Sequence, residues 1–335
     1  MTDHFKTLAD LDKVDAEFLL CISKASAIDL RDLHKILSIG SCYYVEYPMD
    51  DFDDPDINVG YDEKYEWCYD RPIRINGYGR EIDYEMAEID DLISIEVKDR
   101  RLVSLMIDLT DNRIKDKEGF LKAVNGALQK FGDDLVLETL CFGGLFGNRS
   151  VPELCIKLPY LKTLIINMVE FKKIKFISAP RLECIKIIDS GESVYDLSRM
   201  LSLKLVCIGD HNVIKIILPV ANSVEKIIIG KGCVPTVRER NNGIGGSLVD
   251  LVLNVGFSVE YIVLAGCGIS KIDLSECSNL KYLNLSNNPI NKLNLAWVPG
   301  LEYLNLQGTG IHNVDRRGLS KLKHVLVDTR EPEPK

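Results

Sequence analysis

The 335-residue sequence is poor in the arrangements that build catalytic and metal centres. Its five histidines, His4, His34, His211, His312 and His324, show no His-Glu-x-x-His or other ligand spacing, so no metal centre or general-base cluster is expected. The ten cysteines include no Cys-x-x-Cys pair, and most lie in or beside apolar strand-like runs. That usage points to reduced thiols serving as small hydrophobes rather than to a zinc site or a disulfide scaffold. The glycines Gly243, Gly245 and Gly246 are not followed by Lys-Ser or Lys-Thr, which argues against a phosphate-binding loop. Asp51-Phe52-Asp53-Asp54-Pro55-Asp56 lacks the Gly and terminal Glu of a calcium loop and reads as an exposed acidic loop. No apolar run approaches the roughly 18 residues that a membrane span needs, and no apolar core succeeds the N-terminal Met1–Lys6 as in a secretory leader. The expectation is a cytoplasmic, non-enzymatic protein with no cofactor, no metal and no membrane span.

What is present is unevenly distributed. The chain carries a net charge of −9, which disfavours nucleic acid as a partner. Residues 42–91 hold sixteen acids against four bases and eight of the thirteen tyrosines, so the acidity is local, and the remainder from Leu92 is net basic. This Tyr-rich acidic segment, bounded as a domain at 42–88, reads as a small β-hairpin packed on the first repeats that follow it, or as an aromatic, acidic contact surface for a basic partner.

A repeat dominates the rest. The pattern apolar-x-x-apolar-x-apolar starts at Leu161, Leu182, Leu203 and Val224, then at Val259, Leu280, Leu301 and Leu322, each series stepping by 21 residues. The alternating core of each unit is a short strand that cannot bury its apolar side alone, so the units must stack. Leu280-Lys281-Tyr282-Leu283-Asn284-Leu285-Ser286-Asn287-Asn288-Pro289-Ile290 resembles the L-x-x-L-x-L-x-x-N-x-I signature of the leucine-rich repeat family. The resemblance implies an α/β, β-rich solenoid with a curved parallel sheet on its concave face, and it makes Asn288 the buried turn amide. Cys267 and Thr309 take that place in neighbouring units. Alternation recurs about ten residues into each unit, as in Ile269-x-x-Ile272-Asp273-Leu274, so the convex side should be extended rather than helical.

The solenoid is expected over 89–327, regular from 161, with an insertion at about 231–247 where one interval widens to 35 residues, and a polar tail at 328–335. Lys117–Phe131, with Phe120, Leu121, Val124, Leu128 and Phe131 at helical spacing, should form one true helix. Residues 1–41 suit short amphipathic helices forming a solenoid cap, and Phe18–Leu33 also bears a faint resemblance to an F-box. With the first, fourth and sixth places buried, the third and fifth face outward. These columns place Lys186, Lys226, Tyr261, Tyr282, Tyr303, Asn284, Asn305 and His324 on the concave face, and neither column contains a carboxylate. The function expected is protein–protein recognition through that face. The alternatives are a ubiquitin-ligase substrate adaptor acting through the F-box-like segment, and a bacterial effector delivered into a host cell.

Overall fold

The structure is a computed structural model describing residues 11–28, 30, 33, 74–75, 81–82, 96–98, 101–109, 113–146, 153–188, 194–209, 213, 215–219, 223–230, 250–252 and 258–328. It divides into two compact units, Met1–Leu182 with Asp189–Gly191, and Glu183–Ile188 with Glu192–Lys335. Most of the acidic segment, the insertion at 231–247 and the tail from 329 lie outside the described residues.

In the first unit, helix α1 (Lys13–Ser26) starts at Asp12, whose carboxylate accepts the Val14 N–H at 3.0 Å, and ends on Ala27 in the left-handed region at φ 54°. A carboxylate N-cap of this kind satisfies an amide the helix cannot. The apolar stripe of α1, Phe18, Leu19 and Ile22, is buried, and α1 packs against helix α2 (Lys117–Phe131). Phe18 meets Phe131 edge-on with ring centroids 6.4 Å apart. On the same helix Asp15 is fully buried, and its Oδ2 accepts from the Arg101 Nε–H at 2.8 Å and the Leu102 N–H at 3.2 Å. Burial pushes the Asp15 carboxyl above its ordinary range, against the opposing pull of the Arg101 hydrogen bond and charge.

Helix α2 crosses over between two parallel strands, β4 (Arg101–Asp108) and β5 (Thr139–Phe146). Strand β7 (Thr163–Val169) continues the sheet in parallel beside β5, and β3 (Glu96–Lys98) closes its other edge antiparallel to β4. A second layer pairs β6 (Leu154–Lys157) with β8 (Ile174–Ser178). Two short strands, β1 (Arg74–Ile75) and β2 (Glu81–Ile82), form an antiparallel hairpin within the acidic segment.

The second unit is a parallel β-solenoid of seven turns. Its inner strands are β9 (Cys184–Ile188), β11 (Leu205–Gly209), β13 (Lys226–Ile229), β15 (Tyr261–Val263), β16 (Tyr282–Asn284), β17 (Tyr303–Asn305) and β18 (His324–Leu326). Each pairs with the next at equivalent repeat places, so Lys226, Tyr261, Tyr282, Tyr303 and His324 lie side by side. The first, fourth and sixth places are 0–1% exposed in all six turns from Leu182 to Leu306. Such full burial of a Leu, Ile or Val side chain contributes about 1.5–3 kcal/mol each, which explains why the 21-residue period is kept so strictly.

The outer path is extended, as the alternation predicts. Strands β10 (Val194–Asp196), β12 (Lys215–Ile217) and β14 (Asp250–Val252) form a parallel outer sheet, whereas the last turns follow the path without an outer ladder. The register Lys215↔Asp250 shows that the half-unit after the widened interval is the outer half of the turn begun by β13. The widened interval therefore falls between β13, followed by Gly230, and the outer strand β14. Gly230 sits at φ 81°, where a Cβ would stand 2.6 Å from the Cys267 Sγ, so only glycine fits.

Candidate interaction face

The third-place column is built by strand pairing alone, because identical places on successive parallel strands are neighbours. Tyr261 and Tyr282 stack with centroids 4.2 Å apart and planes 14° apart, and Tyr282 and Tyr303 stack at 4.3 Å and 3°. His324 extends the column as a tilted ring 6.2 Å from Tyr303. Stacking uses the ring faces against one another and leaves ring edges for other contacts. Tyr282, in the middle, is only 7% exposed, and burial with neighbouring phenols pushes its hydroxyl pKa upward. Burial also raises the Tyr303 hydroxyl, against the lowering influence of the Tyr282 hydroxyl and the Asn305 amide beside it.

The fifth-place column divides in the same way. Asn305 is 4% exposed, and its Oδ1 accepts the Gln307 N–H at 3.0 Å; Asn284 makes the same turn with Ser286 but is more open. Lys186, Lys226, Tyr261, Asn284, Tyr303 and His324 are part-exposed, while Tyr282 and Asn305 are closed into the sheet. The same face contains Cys184 and Cys207, both buried, and burial pushes the Cys184 thiol up to about 11. A thiol so shifted is a poor nucleophile. Cys141 is disulfide-bonded, which corrects the expectation of reduced thiols at that position; six other described cysteines are free.

At the end of each inner strand one turn place is satisfied by three different chemistries. The Asn288 amide is 1% exposed and donates to the Leu264, Leu285 and Ser286 carbonyls at 2.6, 2.8 and 3.1 Å, while its Oδ1 accepts the Ile269 N–H at 3.0 Å. The Thr309 hydroxyl donates to the Leu306 carbonyl at 2.6 Å, and the Cys267 thiol to the Ile229 carbonyl at 3.3 Å.

Two periodic features were not anticipated from the sequence. The second place alternates in charge down the sheet except where Glu225 and Glu260 are neighbours across the widened interval, and Glu183–Lys204, Glu260–Lys281 and Glu302–Lys323 form ion pairs at 2.8, 2.9 and 3.2 Å. A buried turn residue three positions before each repeat start, Met200, Cys277, Val298 and Leu319 in this unit, anchors the return of the chain. Both signals are visible once the sequence is written in rows of 21.

Among the described residues no group of three metal-ligating side chains gathers, and no helix is long and apolar enough to cross a membrane. On the outer half of the last turns, a cavity of about 210 Å³ is lined by apolar residues such as Leu293, Leu306 and Ile311 together with Asn313, Asp315 and Arg317.

Residues 258–297, which carry β15 and β16 with their turns, match the family described as leucine-rich repeats, in two copies. Those residues carry two leucine-rich repeats. Among solved structures it is similar to the functional domain of InlJ from Listeria monocytogenes, which includes a cysteine ladder, with 14% identity and a TM-score of 0.37. That similarity covers 63% of this chain and 50% of the other, so this chain spans half the length of the protein it matches. A comparison with curated proteins gives no match.

Proposed function

We propose that the second unit is a non-catalytic recognition module whose leucine-rich repeats take a protein partner on the concave face, along the third and fifth places. The observation that carries this reading is the run of six part-exposed side chains, Lys186, Lys226, Tyr261, Asn284, Tyr303 and His324, on one sheet whose two columns contain no carboxylate. Held aromatic edges lose little entropy on contact and are the residue type that most often anchors interfaces. Tyr282 and Asn305 act within the sheet, Tyr282 as the middle of the stack and Asn305 as a turn acceptor.

A photo-crosslinking residue placed at Tyr261, Tyr303 or His324 is expected to capture the partner, and one placed at Trp297 or Leu201 on the outer side is not. Capture confined to the outer positions would sink the reading. For residues 1–41 we propose the role of a solenoid cap. Phe18, Leu19, Ile22 and Leu33, the apolar residues an adaptor would need, are each at most 3% exposed within the first unit.

A further inference from the structure

Full charge on the concave sheet of the second unit is confined to two side chains. Of the third- and fifth-place residues from Cys184 to Leu326, only Lys186 on β9 and Lys226 on β13 are ionised at neutral pH, and both are part-exposed. The lysines of the second place are already held by acids, Lys204 by Glu183, Lys281 by Glu260 and Lys323 by Glu302, and Glu225 also acts on Lys204. Lys186 and Lys226 have no such partner among the described residues. Their neighbours across the sheet are neutral, Cys207 beside Lys186, and Leu205 and Tyr261 beside Lys226. An ammonium covered without an acceptor loses hydration that nothing restores, so a surface that closes over these two must bring its own anions. Only β11 separates β9 from β13, which sets the two lysines about 10 Å apart across the strands. The other half of the face decides what carries those anions. Tyr282 lies between Tyr261 and Tyr303 with centroids 4.2 and 4.3 Å away, so both of its ring faces are in use. The bases of a single-stranded nucleic acid need ring faces to stack on, and the column offers edges instead.

We propose that the concave face takes an acidic stretch of a partner protein, which sets one carboxylate on Lys186, a second on Lys226 about three extended residues further on, and apolar or aromatic side chains against the edges of Tyr261 and Tyr303. The proposal rests on the recognition role given to this face above and names the chemistry of what it takes. Charge and burial divide the work. The two lysines select acidic segments and speed encounter, because a basic or neutral segment would leave both ammonium groups covered and unpaired. The tyrosine edges supply the area that holds the segment once it has arrived.

The probe is a fluorescein-labelled copolymer of glutamate and tyrosine, titrated onto the full chain beside a lysine–tyrosine copolymer and a single-stranded oligothymidylate. Only the first should bind. Lys186→Gln and Lys226→Gln, which keep the aliphatic stem, should each weaken it by about threefold, the scale of one part-exposed ion pair, and together by about tenfold. Lys186→Arg with Lys226→Arg should retain the parent affinity, and Lys186→Glu with Lys226→Glu should turn the preference to the lysine–tyrosine copolymer. Lys271→Gln with Lys292→Gln, at exposed lysines of the outer path, should change nothing. No binding of the acidic copolymer, binding indifferent to Lys186→Gln and Lys226→Gln, or capture of the oligothymidylate through the same two lysines overturns the proposal. Should one of those results stand beside a partner crosslinked at Tyr261 or Tyr303, the recognition face survives and its acidic selectivity alone is refuted.

Discussion

Asn288 and Tyr303 lie one turn apart and use their polar atoms to different extents. Asn288 satisfies three carbonyls and one N–H from a site 1% exposed, so Asn288→Ala leaves buried backbone groups without partners. The expected cost is about 2–4 kcal/mol, and Asn288→Thr should lose less because Thr309 already does this work one repeat later. Tyr303 buries its hydroxyl oxygen beside the Tyr282 hydroxyl and the Asn305 amide, in contacts looser than those of Asn288, so Tyr303→Phe should cost about 1 kcal/mol or less. Urea midpoints of the variants check both, and a Tyr303→Phe loss comparable to that of Asn288→Ala would show that the hydroxyl's contacts with Tyr282 and Asn305 are as strong as those of the turn amide. Asn288 was legible in the sequence because the L-x-x-L-x-L-x-x-N register fixes its place. That Tyr282 and Asn305 are closed was not, because their exposure depends on the neighbours two strands supply.

The strands and helix α2 could be read from periodicity because one buried face repeats at a fixed interval in each. The contact that holds α1 could not. Asp15 and Arg101 are 86 residues apart and belong to no pattern, yet the Asp15 carboxylate fastens the helix to the start of β4 through Arg101 and the Leu102 N–H. The alternating second-place charges escaped for a related reason, since partners such as Lys281 and Glu302 become neighbours only when strands pair. Asp15→Ala removes one member of a buried pair and leaves a guanidinium 27% exposed, so a loss of about 2–3 kcal/mol is expected, below the range for fully buried pairs. The loss should be local: amide exchange in Lys13–Ser26 should accelerate, while exchange in β15–β17 stays slow. Unchanged protection of α1 would mean that Phe18, Leu19 and Ile22 hold it without the ion pair.

Stacking also sets how stability responds to pH. Its interior is made of thiols and phenols as well as aliphatic groups, and burial raises each of their pKa values: Cys184 and Cys277 from 9.0 to about 11, Cys267 to about 12, and Tyr282 and Tyr303 upward from 10.0. An acid whose folded pKa exceeds its unfolded one stays protonated in the native state while the unfolded chain ionises. Its contribution is intact below the unfolded pKa and is lost as pH rises toward the folded value. The second unit should therefore hold its stability through neutral pH and weaken from about pH 9, each thiol adding a slope of about 1.4 kcal/mol per pH unit, with the phenols joining above about pH 10. Urea midpoints measured between pH 7 and 11 test this. Cys267→Thr, which keeps a donor at the turn place and removes one ionisable group, should flatten the slope by one thiol's share. A midpoint constant to pH 11 would mean that these thiols and phenols ionise as readily in the folded repeats as in the unfolded chain.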